Sequence, residues 1–266
     1  MGGRPGAPQR LEAGRGACYA AAMYEIQRRV LWRLPCWRGL DFSITNEVVL
    51  LWAAAAVTFL LLWAACRRRG PVARGPFQNL FEALIEFVER EIVREGLGVN
   101  GAVWAPFVLT VFFFVLIANL MGLIPLPTVV KPMTSSLSVT AALAGVVFAL
   151  TLGINVRRHG LAGFLRRFVP AGIPWWVAPL VAPIEVISWL ARPLSLAIRL
   201  FANMLVGHHL IFLFVALEAV SAWYLKTLPF VGAVLMYGFE VFVSFIQAFI
   251  FAMLTGVYIK DAVEAH

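Results

Sequence analysis

Five long apolar stretches organise the chain, at residues 48–66, 103–126, 137–154, 173–219 and 228–259. As a helix, each is long enough to cross a hydrocarbon core of about 30 Å, the third only just. The last two are too long for one upright crossing: at about 1.5 Å per residue they reach roughly 70 and 48 Å. They must tilt steeply, bend, or lie partly along the membrane plane against something that shields them. The segment FQNLFEALIEFVEREIVREG, residues 77–96, differs in kind. Phe77, Leu80, Phe81, Leu84, Ile85, Val88 and Ile92 recur at helical spacing, with Glu82, Glu86, Glu89 and Arg90 elsewhere around the wheel. That pattern predicts an amphipathic helix lying on the membrane surface.

Composition settles the class that the pattern suggests. The chain is 61% hydrophobic and 14% charged over 266 residues, where soluble domains carry about 25% charged residues. The expected fold is an all-α integral membrane protein, with one embedded helix per apolar stretch and one interfacial helix. The last two helices are expected to be steeply tilted and to form a hairpin. Residues 45–266 should make a single membrane domain, and 1–44 a tail that is partly disordered or carries a surface helix. Residues 1–22 lack the apolar core of a secretory signal peptide. They read as a disordered tail, a targeting extension, or the product of an over-called start, with the native chain beginning at Met23. No internal repeat of about 20–50 residues is visible.

Charge orients the helices. Arg67, Arg68, Arg69 and Arg74 follow the first stretch, Arg157, Arg158, Arg166 and Arg167 follow the third, and the loop after the second holds only Lys131. The two basic loops therefore share a face, which the positive-inside bias makes cytoplasmic. Five crossings then place the N-terminus outside and the C-terminus inside. Arg28, Arg29, Arg33 and Arg38, before the first stretch, oppose that orientation, but two loops outweigh one tail. The net charge of +8 is thus loop arginine rather than a nucleic-acid footprint, and no nucleic-acid partner is expected. Cys18, Cys36 and Cys66 form neither a CxxC nor a Cys/His metal spacing, and no metal or cofactor is expected.

Candidate chemistry lies in the two longest stretches. A charge at bilayer depth costs roughly 2.5–3.5 kcal/mol on insertion scales, so each needs a reason. At about 100° per residue, with Arg199 at 0°, Glu185, Ser188, Arg192, Ser195 and Asn203 all fall within about 40° of it. One helix face therefore carries a polar stripe that must meet protein or water. Pro193 is expected to kink it locally. Arg192 fits a structural or snorkelling arginine near that bend. Arg199 has no acidic residue closer in sequence than Glu185 and Glu218, so its countercharge must come from elsewhere.

The last stretch places Glu240, Ser244 and Gln247 on one face, at i, i+4 and i+7. If the two stretches form an antiparallel hairpin centred at 224, His208 and Glu240 lie level, and Arg199 and Gln247 nearly so. A buried carboxyl beside an imidazole can exchange protons near neutral pH. A glutamine amide can hydrogen-bond a guanidinium without neutralising it. These are the parts of a proton path with an electrostatic gate.

The segments PLSLAIRLFANMLVGHHLI and VSFIQAFIFAMLTGVYI closely resemble subunit a of the rotary F-type ATP synthases. ANLMGLIP (118–125), SLSVTAALA (136–144) and the terminal EAH add to the resemblance, which covers about residues 45–266. It implies a proton-channel stator of the membrane Fo sector, with its two long helices wrapped against a ring of c subunits, a subunit b peripheral stalk, and the F1 sector reached through that stalk. It implies no catalytic site for ATP in this chain. The family's essential arginine falls on Arg199, with polar neighbours at Asn203 and Gln247. His208 and Glu240 fall on the inlet half-channel positions, with acid and histidine exchanged relative to some members, and Glu185 and Ser188 on the inner half-channel. Gly122 stands where some members carry an acid, so no role attaches there. The resemblance implies a bacterial inner membrane, with an organellar inner membrane as the alternative. A secondary proton-coupled transporter, the alternative function, would show repeated halves with broken helices, which the sequence does not, and a purely structural membrane scaffold would not need Arg199 unpaired.

Overall fold

The computed structural model describes residues 30–32, 44–67, 75–98, 101–124, 133–166, 176–220 and 227–264. An antiparallel pair, β1 (Val30–Trp32) and β2 (Ile44–Thr45), lies at the end of the segment expected to be a partly disordered tail or to carry a surface helix, and the rest of that tail lies outside the described residues. β2 runs directly into α1 (Asn46–Arg67). The amphipathic segment forms α2 (Pro76–Val88), which starts after an extended Gly75 with proline in its first turn, where the missing N–H costs nothing. α2 continues without a break into a π-helical segment, Glu89–Leu97, that stops at Gly98 with φ of 62°. Next come α3 (Gly101–Gly122), a 3-10 turn at Met133–Ser135, α4 (Leu137–Arg166), α5 (Ala178–Val220) and α6 (Thr227–Glu264).

Among the described residues four helices are long and apolar enough to cross a membrane: Gly101–Gly122, Leu137–Gly160, Pro179–Glu218 and Thr227–Val263. The first expected span is shorter in its apolar part, Val48–Ala64, although α1 has 22 residues in all. The expected ends shift for identifiable reasons. α3 ends at Gly122 rather than 126, ahead of Pro125 and Pro127, because the residue before a proline is pushed out of the helical region. α4 runs past 154 through Arg157 and Arg158, which are good helix formers, and bends where Gly160 takes a φ of 69°. α6 runs on through Lys260 and Asp261, beyond the apolar run but still helical.

α3 is the centre of the core, with Val108, Phe112, Phe113 and Val115 buried. α6 packs along α3 and α5, and α4 packs along α5. The apolar face of α2 is built into this core. Phe81 stacks on Phe113 at 5.6 Å, Phe113 meets Phe112 edge-on at 5.3 Å, and Phe87 lies 5.3 Å from Phe249 of α6. Val88, Ile92, Val93 and Leu97 continue the buried row into the π-helical segment, while Leu80 is exposed. A β-carbon at Gly101 would sit 2.6 Å from the Val93 carbonyl oxygen, so only glycine lets the π segment turn so closely into α3.

Outward faces of α1, α5 and α6 carry large apolar side chains such as Trp52, Phe59, Leu194, Ile198, Leu235 and Phe242, as a lipid-facing or partner-facing surface requires. Hydroxyls within the apolar helices are satisfied locally: Thr58, Thr110 and Thr255 each donate to the carbonyl four residues earlier.

Candidate proton-translocation site

The long helices run antiparallel and side by side, and their register can be read from specific contacts. Asn203 Nδ2 donates to Gln247 Oε1 at 2.8 Å. A β-carbon at Gly207 would lie 2.6 Å from Glu240 Oε1, and one at Gly232 would lie 2.7 Å from the Phe214 ring. Arg192 Nη1 donates to Asp261 Oδ2 at 2.8 Å. Counted from 224, Gly207 is 17 before and Glu240 16 after, and Asn203 is 21 before and Gln247 23 after. The hairpin expected from the sequence therefore forms, with nearly the expected register. α5 passes through Pro183 and Pro193 as one helix.

The two expected cross-links come out differently. Gln247 pairs with Asn203, not Arg199, because Arg199 points from the exposed side of α5 while Gln247 is buried in the α5–α6 seam. Glu240 is level with His208, but the two make no hydrogen bond. Its side chain turns onto the bare backbone of Gly207, and His208 packs edge-on against Phe212 at 4.9 Å. Glu240 is only 3% exposed, and neither carboxyl oxygen accepts a hydrogen bond from a described residue.

Beside that carboxyl lies a small cavity lined by Asn119, Asn203, Glu240, Ser244 and Gln247, with Leu200, Met204 and Val243 closing it. It leaves about 10 Å³ open to the centre of a water molecule, roughly the room one water needs. Asn119 comes from α3 and is 2% exposed; its Oδ1 and the Nε2 of Gln247 are buried with no hydrogen-bond partner among the described residues. Asn119 lies within the ANLMGLIP segment, but the sequence alone attached no role to it. It belongs to a third helix, and a polar residue in an apolar run is the signal that could have marked it.

The polar stripe of α5 is real. Ser188, Ser195, Arg199 and Asn203 are exposed, while Glu185 and Arg192 are half-buried. Among the described residues Arg199, Glu185 and Ser188 make no hydrogen bond or ion pair. His209, on another side of α5, is exposed, with its Nδ1 2.6 Å from the Leu205 carbonyl oxygen. Thus the structure gathers Asn203, Glu240 and Gln247 at one cavity, with His208 at the level of Glu240. It leaves Arg199 and Ser188 on the open face and Glu185 half-buried on the same stripe.

A sequence profile of the ATP synthase A chain family matches residues 48–260. ATP synthase subunit a of Xanthobacter autotrophicus is 39% identical over 247 residues, covering 91% of this chain and 96% of that protein. The corresponding subunit of Magnetococcus marinus is 42% identical over 238 residues, 86% of this chain and 87% of its own length. That of Neorickettsia sennetsu is 39% identical over 234 residues, 88% and 95% respectively.

Proposed function

The chain belongs to the ATP synthase A chain family, and from that membership we infer its work as the proton-channel stator of the membrane Fo sector. It is a membrane subunit of the ATP synthase and not itself the catalytic one. The observation that carries the finer reading is the placement of Arg199: an arginine on the exposed polar stripe of an otherwise largely apolar helix, making no ion pair with any described residue. A guanidinium stays charged at any working pH and cannot relay a proton. It can attract a carboxylate, favour its ionised form, and so drive off the proton that the carboxyl carries.

In this reading the carboxylate arrives on the rotating ring of c subunits, which passes the exposed face of α5. Glu240, with Asn119, Asn203, Ser244 and Gln247 around the water-sized cavity and His208 at the same level, forms the inlet half-channel on the outer side. Glu185 and Ser188, three turns or more along α5 towards the cytoplasmic end, form the outlet. Arg199 stands between them and blocks a direct leak. A peripheral stalk of subunit b holds the chain against the ring and links it to F1. The setting is a bacterial inner membrane, with the C-terminus of the chain in the cytoplasm and protons as the coupling ion.

The test is proton-driven ATP synthesis in membrane vesicles carrying Arg199→Ala. Loss of synthesis by at least about a hundredfold is expected, as for removal of a main electrostatic contributor; retained synthesis overturns the reading. A secondary transporter would build its site from helices broken at the midplane, whereas α5 and α6 are continuous.

A further inference from the structure

α5 carries two arginines on nearly the same face, seven residues apart, hence about 10.5 Å apart along its axis. The structure treats them in opposite ways. Arg192 is drawn towards α6, where it pairs with Asp261 at 2.8 Å and its guanidinium carbon lies 5.9 Å from the centre of the Tyr258 ring. The pair borders a second cavity between α4, α5 and α6, with about 20 Å³ open to water centres and Thr151 and Asn155 on its α4 wall. Arg199 is left on the exposed face with no such partner among the described residues. Two inter-helix ties flank it: Arg192–Asp261 towards the end of α6, and Asn203–Gln247 one turn beyond it in the other direction.

A cation that must attract a passing carboxylate and then let it go works at one position only if no second bare cation stands two turns away on the same face. A second one would offer the carboxylate another resting place and hold it there. Resting on the stator reading above, we propose that Asp261 is a positioning residue for the proton-transfer step. By pairing with Arg192 it cancels the second positive charge of the face and turns that guanidinium away, so that Arg199 alone is offered to the partner's carboxylate. The residue that makes the arginine of the gate effective thus sits on the neighbouring helix, next to the other arginine.

The experiment uses vesicles containing the assembled complex, with synthesis normalised to the amount of complex. Asp261→Asn frees Arg192, and proton-driven ATP synthesis falls by about tenfold, the size expected for one unit charge at this separation under protein-surface screening. Adding Arg192→Gln to that variant removes the liberated charge and restores synthesis to within about twofold of the unmodified complex. A purely structural tie would leave the double variant as impaired as the single one. Unchanged synthesis in Asp261→Asn, failed rescue, or failure of the double variant to assemble overturns the proposal. Arg199→Ala in the same series separates the two inferences. If it abolishes synthesis while Asp261→Asn is harmless, only the role of Asp261 falls; if it leaves synthesis intact, the stator reading falls first.

Discussion

Glu240 shows how much one missing side chain can decide. Its carboxyl occupies the space that a β-carbon at Gly207 would take, 2.6 Å from Oε1 and 2.9 Å from the carboxyl carbon. Gly207→Ala must therefore push the carboxyl out of the seam and away from the Asn119–Gln247 cavity. Proton-driven synthesis in vesicles is expected to fall about tenfold or more, consistent with misplacing a proton-exchanging group by about 1 Å. Glu240→Gln keeps the shape and removes the exchangeable proton, so a loss on the order of a hundredfold is expected. A Glu240→Gln complex that synthesises ATP at the original rate would remove Glu240 from the path. At this scale helical phase was enough to place Arg199, Ser188 and Asn203 on one exposed face, because phase is a property of one helix. It could not tell that Asn203, rather than Arg199, meets Gln247. That choice depends on how far each helix is rotated about its own axis in the packed pair.

The elements were legible in kind and less so at their ends. Apolar runs of this length leave little choice but helix, since in hydrocarbon every backbone N–H and C=O must be satisfied within the segment. The α2 region was readable as amphipathic from Phe81, Leu84, Ile85 and Val88. Its passage into a π-helix was not, since Ile92 also continues the ordinary helical spacing and only Val93 and Leu97 report the longer i→i+5 turn. The destination of that face was hidden too. It does not merely lie on a surface but enters the Phe112–Phe113–Phe245 cluster between α3 and α6. Phe112→Ala should therefore destabilise the subunit by about 3–5 kcal/mol, seen as a lower melting temperature of the detergent-solubilised complex. An unchanged melting temperature would mean that this cluster is not part of the stabilising core. Gln247→Leu makes a contrasting case: hydrogen bonds between helices in a membrane are worth only about 0.6–1.7 kcal/mol. Stability is expected to change little while synthesis falls, and a large drop in melting temperature with normal synthesis would recast Gln247 as structural.

For the whole molecule, orientation rests on loop charge and is open to direct labelling. With Cys18, Cys36 and Cys66 replaced by serine, Arg158→Cys should react with a membrane-impermeant maleimide in inverted vesicles and be protected in right-side-out ones. Ser136→Cys should behave in the opposite way. The reverse pattern would turn the assigned inlet and outlet around. By itself the sequence determined the membrane class, the two over-long helices, their hairpin and the stripe that carries Arg199, because hydropathy, helical phase and antiparallel register are one-dimensional properties. Only the tertiary structure decided that Asn119 of α3 joins the cavity at Glu240, that Gly207 makes room for that carboxyl, and that Asp261 takes Arg192 and leaves Arg199 bare. These depend on helix rotation and close approach between segments far apart in the chain, where one bare backbone or one reach across the seam outweighs any local pattern.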